Sequence, residues 1–149
     1  MTSHRPGRVP EWESTPFFRE LGLRVEAIED GYTRLAVRRE TVRLRGARDG
    51  LNGGIVATLG EAAMHVCLAS MLAEGERAGR TRELTVAFLS GARGDVTLIE
   101  ARMLRKGGRL AVGDVELRDA ATGALNAKLR VACEVTPAPS AAPADELTN

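Results

Sequence analysis

The chain has 149 residues, a formal net charge of +1 and 44% hydrophobic residues. That is the size of a single domain with its own core, and the balanced charge excludes a dedicated nucleic-acid surface or a polybasic membrane patch. The arginines look scattered along the chain. The few aromatics, Trp12, Phe17, Phe18, Tyr32 and Phe88, make no platform for stacking bases. Cys67 and Cys133 lie in apolar runs and read as small core residues. With only His4 and His65 beside them, no metal site is expected. The first residues hold no apolar signal-peptide core, which points to a soluble cytoplasmic protein.

Residues 1–13 read as a flexible, proline-broken arm. Ser14-Thr15-Pro16 has the form of a helix start, Phe17, Phe18 and Leu21 supply one apolar face, and Gly22 ends the helix. Residues 23–29 and 32–39 alternate apolar and polar side chains, with Leu35 and Val37 inward. Asp30-Gly31 between them reads as a tight hairpin turn. Residues 41–51 lose that period and form a loop. Residues 52–75 then read as one long helix, apolar almost all round, and a helix of that kind is normally enclosed. Its length is marginal for a membrane span. Glu61 and His65 at mid-helix, the glycines and the strand-rich remainder argue against one. Residues 74–82 read as a polar connection. Four strands follow, at 84–89, 96–104, 110–117 and 125–135, separated by glycine-containing turns. Residues 137–149 form a low-complexity tail with the composition of a disordered segment. The order predicts an α+β domain over residues 14–136, a curved antiparallel sheet wrapped around the long helix.

Three polar side chains, Thr58, Glu61 and His65, fall three and four residues apart and so form one stripe on that helix. A wet helix face would produce such a stripe, and a buried histidine bonded to backbone would account for His65. However, the stripe carries no Lys or Arg and sits where the flanking positions are most apolar, which favours a functional carboxylate at Glu61. Gly53 and Gly54 open the helix, where backbone N–H groups lack internal partners and carry the positive end of the dipole. Glycine there allows a ligand oxygen close approach, as an oxyanion hole requires, and also serves as a plain tight entry. Asn52 reads first as the N-cap and second as a substrate contact. Gly53 and Glu61 are eight residues apart, roughly 12 Å along a helix. One reacting carbon cannot touch both, so if both act, a second chain supplies the missing half across a symmetric interface.

Asn52-Gly53-Gly54 followed by Leu59-Gly60-Glu61 resembles the His-Gly-Gly…Leu-x-Asp/Glu signature of hotdog-fold thioesterases, most of all the phenylacetate-pathway (PaaI-like) acyl-CoA group. The runs 84–89 and 105–110 resemble that group's later strands, and the similarity extends from about Phe17 to Val135. The resemblance implies a hotdog fold and hydrolysis of an acyl-CoA by a homodimer or dimer of dimers. No cofactor is implied beyond the coenzyme A of the substrate. It implies that the Gly53 N–H polarises the thioester carbonyl and that the partner's Glu61 acts as nucleophile or general base. His65 falls where relatives place a small polar residue near the carboxylate. The 105–109 turn falls near the CoA arm, with Lys106, Gly107 and Arg109 as contacts. Gly54, Thr58, Val86 and Phe88 are expected to line the substrate site. The family's usual His is Asn52 here, and a common upstream Asn is Gly46. Those departures keep a non-catalytic acyl-CoA binding protein in view. The Glu61/His65 pair also admits a hotdog enoyl-CoA hydratase, although the Gly-Asp-x-Asn-Pro loop of such enzymes is missing.

Overall fold

The structure, a computed structural model, describes residues 9–139. Two short helices, α1 (Val9–Glu13) and α2 (Pro16–Leu21), precede strands β1 (Arg24–Glu29) and β2 (Tyr32–Arg38). Helix α3 (Gly53–Ala69) follows, then β3 (Glu76–Phe88), β4 (Val96–Lys106), β5 (Leu110–Asp119) and β6 (Leu125–Pro137). All strand pairs are antiparallel, in one six-stranded sheet of order β1-β2-β4-β5-β6-β3. The sheet wraps one long helix, the arrangement expected from the element order and the hotdog fold that the resemblance implies.

Helix α2 begins and ends at the residues the sequence marks. Thr15 caps its start, Pro16 occupies the first turn and Gly22 leaves it in the left-handed conformation at φ 66°, where glycine carries no Cβ penalty. The expected flexible arm ends earlier than residue 13. Trp12 stacks against Phe18 at 5.8 Å between ring centroids, and Glu13 accepts a 2.8 Å hydrogen bond from the Val25 N–H. These contacts order the stretch from Val9 as a helical turn. The remaining arm, residues 1–8, and the tail beyond 139 lie outside the described residues.

Helix α3 is shorter than the apolar run that encodes it. It ends at Ala69, where the Ser70 hydroxyl bonds back to the Cys67 carbonyl at 2.6 Å. The same hydroxyl accepts from the Gly31 N–H at 3.1 Å, tying the helix end to the β1–β2 turn. Met71 packs over Gly31, so the apolar pattern continues past the helix because these residues cover the turn. Gly75, at φ 81°, reverses the chain into β3. That strand takes in residues 76–82, whose polarity had suggested a connection. It is the edge strand beside β6, and its side chains are exposed or half-buried throughout. Ladder hydrogen bonds to β6 hold it there, with no need for a fully apolar face.

One face of α3 lies on the sheet. Val56, Leu59, Ala63, Met64, Val66, Cys67 and Leu68 are buried against Leu35, Ile99, Val115, Leu117, Leu129 and Val131. The approach is close because two glycines allow it. A Cβ on Gly60 would collide with the Leu129 side chain, and one on Gly113 would meet the Met64 side chain and lie 2.7 Å from the Arg102 carbonyl. Cys67 and Cys133 are free and buried, and burial pushes the Cys67 thiol up to about 12. The helix is not enclosed on every side, however. Thr58, Glu61, Ala62, His65 and Ala69 form a half-exposed face that the sheet of this chain, with β3 at its border, covers only in part. Among the described residues, no helix is long and apolar enough to cross a membrane.

Candidate active site

The site begins at the first turn of α3. Asn52 caps the helix, its Oδ1 accepting from the Gly54 N–H at 2.8 Å. Helical bonding starts one turn later, with the Val56 N–H donating to the Asn52 carbonyl at 3.0 Å. The two glycines are therefore not equivalent: Gly54 has its donor occupied, while the Gly53 N–H has no acceptor among the described residues. The side of Gly53 where a Cβ would stand faces the Phe88 ring, 3.4 Å from that position. Phe88 is 60% exposed and Leu89 58%. The helix start, the unpaired N–H and an exposed aromatic from the end of β3 thus meet at one place.

The stripe along α3 is polar but not equally free. The Thr58 hydroxyl donates back to the Gly54 carbonyl at 2.8 Å. The Glu61 carboxylate, half-buried on the open face, makes no hydrogen bond or ion pair among the described residues. One turn on, His65 Nε2 lies 2.8 Å from Thr81 Oγ1 and 3.7 Å from Cys133 Sγ. Burial lowers the pKa of the imidazole, an effect opposed by the nearby Glu61 charge, so the ring is neutral at neutral pH. Thr81 had drawn no attention in the sequence because it sits in a polar stretch without alternation. The register of β3 against β6 shifts on both sides of it, between Ala78 and Thr81 and again between Thr81 and Glu83. Such irregularities re-aim side chains, and here the hydroxyl points at the helix.

Strand β3 runs antiparallel to α3 along the open face, with Thr81 at His65 and Phe88 at Gly53. Leu84 and Val86, half-buried and packed on the core, lie between those two contacts. Asn52, Gly53, Gly54 and Phe88 therefore stand together at one end of the face, and Glu61 and His65 stand along it. Gly53 and Glu61 share one uninterrupted helix, so the separation of roughly 12 Å holds.

The 105–109 turn lies elsewhere in the chain. Lys106 is engaged with Glu76 at 2.8 Å, both side chains largely buried, and the Glu76 carboxylate also accepts from the Ala73 N–H beyond the end of α3. Lys106 thus closes the far end of the helix. Gly107 turns the chain, its N–H donating to the Leu110 carbonyl at 2.8 Å. Arg109 is exposed and makes no side-chain bond among the described residues. A separate open cleft of about 660 Å³ lies at the opposite sheet edge, between α2 and strands β1 and β2. It contains none of the expected site residues.

The Thioesterase superfamily model matches residues 50–125, which span α3 and strands β3 to β5. The medium/long-chain acyl-CoA thioesterase YigI of Salmonella typhimurium is 33% identical over 117 residues, covering 70% of this chain and 76% of that protein. Its namesake from Escherichia coli K12 is 32% identical over the same shares. Among solved structures, a thioesterase family protein from Silicibacter pomeroyi superposes with a TM-score of 0.78 at 22% identity, covering 87% of this chain and 95% of that one. A thioesterase from Haemophilus influenzae gives 0.76 at 17% identity, over 85% and 87%.

Proposed function

The chain belongs to the thioesterase superfamily, and from that premise we propose that it is an acyl-CoA thioesterase whose Glu61 works opposite the Gly53 N–H of a second copy. The carrying observation is the pairing on one helix of a carboxylate and a helix-start N–H that both lack partners among the described residues, too far apart to serve one carbonyl within a chain. A second copy packed on that face brings each Glu61 to the other's Gly53. The outer edge of β3, unpaired among the described residues and with exposed Phe88 and Leu89 at its end, gives that copy a strand to continue and apolar surface to cover.

In this arrangement the thioester oxygen accepts from the Gly53 N–H, placed at the positive end of α3 where charge develops on the carbonyl. The partner's Glu61 either takes a proton from a water that attacks the carbonyl carbon or attacks it directly. The tetrahedral intermediate collapses by expelling CoA as its thiolate, which takes up the proton held by Glu61 on the first route, or the one that water releases as it cleaves the anhydride on the second. An acyl–Glu61 anhydride, if formed, is cleaved by water to the free acid. Neutral His65, held through Nε2 by Thr81, keeps a fixed polar group one turn from the carboxylate without adding a positive charge. Val86 and Phe88 line the approach of the acyl group, and the protein acts as a homodimer or dimer of dimers in the cytoplasm.

The relatives are named for medium and long acyl chains, so the first panel to assay is acyl-CoAs across those lengths. Glu61→Gln should lose hydrolysis by at least about a hundredfold while CoA-ester binding persists, and full activity in that variant would refute the assignment. The binding-protein alternative draws on Asn52, whose side-chain oxygen is committed to the cap. Tight CoA-ester binding with no turnover across the panel would select it.

A further inference from the structure

Five of the arginines that look scattered along the sequence stand on loops beside the start of α3. Two loops meet there. Residues 39–52 lead into the helix and residues 89–95 leave β3, joined by the Leu51 N–H donating to the Ala92 carbonyl at 3.0 Å. Across residues 39–52 and 89–95 there are five arginines against three acids, in a chain whose net charge is only +1. The arginines divide into two sets. Arg39 and Arg45 build the first loop. Arg39 Nη1 donates to the Asp49 carboxylate at 2.6 Å, and Arg45 donates to the Val42 and Arg39 carbonyls at 2.7 and 2.6 Å. They also bind the loop's own acid, Asp49. Arg43, Arg48 and Arg93 are exposed, and their guanidinium groups make no hydrogen bond or ion pair among the described residues. Arg93 packs its Cγ 3.3 Å from where a Gly50 Cβ would stand, and Arg43 adjoins Leu44, whose carbonyl receives the Asn52 N–H at 3.3 Å. The loop holds Arg48 at φ 54°, ψ 36°, a left-handed conformation costly for a side chain of its size.

We propose that Arg43, Arg48 and Arg93 form the subsite for the phosphate groups at the nucleotide end of coenzyme A. This rests on the thioesterase reading of the Gly53–Glu61 site. Gly50 is three residues from Gly53, at most about 11 Å along the backbone, and an extended pantetheine arm spans that interval to the arginine side chains. Guanidinium groups suit pyrophosphate and a ribose phosphate because they donate in pairs to two oxygens. Lys106, by contrast, is neutralised by Glu76.

The test compares an acyl-CoA with the same acyl group on pantetheine, which lacks the phosphates, using Arg48→Gly, Arg48→Lys and the Arg43→Gln/Arg93→Gln double variant. Glycine accepts the left-handed conformation at residue 48, so Arg48→Gly removes the charge without endangering the fold. KM for the acyl-CoA is expected to rise about tenfold in Arg48→Gly, the loss of a charge-assisted contact, and further in the double variant, with kcat kept. Arg48→Lys restores most of the affinity, and the pantetheine thioester shows no change. Equal KM shifts on both substrates, or no shift on the acyl-CoA, overturn the subsite. Calorimetry with CoA itself separates this claim from the catalytic one. A Kd weakened about tenfold by Arg48→Gly supports the subsite even if nothing is hydrolysed, and an unchanged Kd refutes it even in an active thioesterase.

Discussion

Asn52 holds its place through its carbonyl side-chain oxygen, which occupies the Gly54 N–H, while that of Gly53 has no acceptor among the described residues. Replacing it with Ala should cost about 1 kcal/mol of stability in a denaturant titration, whereas Asp, an equally good cap, should cost far less. His65 yields a prediction in pH. Burial holds its pKa in the folded chain below the ordinary 6.5, so the unfolded chain binds the proton more readily. This contribution to stability is complete above about 6.5 and is lost as pH falls from there toward the lowered value in the fold. Melting temperatures taken between pH 8 and pH 5 should fall more steeply for wild type than for His65→Gln, and identical slopes would contradict the assignment. The cap was legible from Asn standing before Gly-Gly, and the Glu61 stripe from its spacing. Thr81 was not, because what turns it toward His65 is a local slip in strand register, which no pattern of residue types along β3 reveals.

At the level of elements, periodicity located every strand to within two residues at most ends but misplaced two boundaries widely, the end of α3 and the start of β3. Apolar residues continue to Leu72 whether the chain is helical or, as here, has turned to cover the β1–β2 hairpin. The polar start of β3 looks like a connection because an edge strand needs no buried face along its whole length. The intimacy of helix and sheet was also hidden, since Gly60 and Gly113 resemble any other glycine until the partner surface is known. Gly60→Ala and Gly113→Ala should each cost about 1–3 kcal/mol through overpacking. Gly108→Ala, where an added Cβ meets nothing within 4 Å, should be close to neutral. Equal costs at all three positions, measured by chemical denaturation, would show that chain stiffness and not packing sets the effect.

For the whole molecule, the eight residues between Gly53 and Glu61 carry the most weight. They were readable from the sequence, and so was the conclusion that a second copy must complete the site if both residues act. What the sequence could not show is that the stripe lies on an open face, since apolar residues surround it in the helix and suggest full enclosure. That openness gives a second copy a surface to cover. The charge distribution is similarly a property of the folded chain: two loops that carry arginines far apart in sequence are bonded together. Mixed dimers test the shared site most directly. Gly53→Pro removes the proposed oxyanion donor at the first helical position, where proline is tolerated. The preceding residue, at φ −59° and ψ 140°, already has a backbone compatible with it. Gly53→Pro and Glu61→Gln should each be inactive alone. When the two are unfolded together and refolded in equal amounts, about a quarter of the wild-type rate should return, because half of randomly paired dimers are mixed and each holds one complete site. No recovery, with mixed dimers shown to have formed, would mean that each chain works alone and would contradict a site shared between two copies.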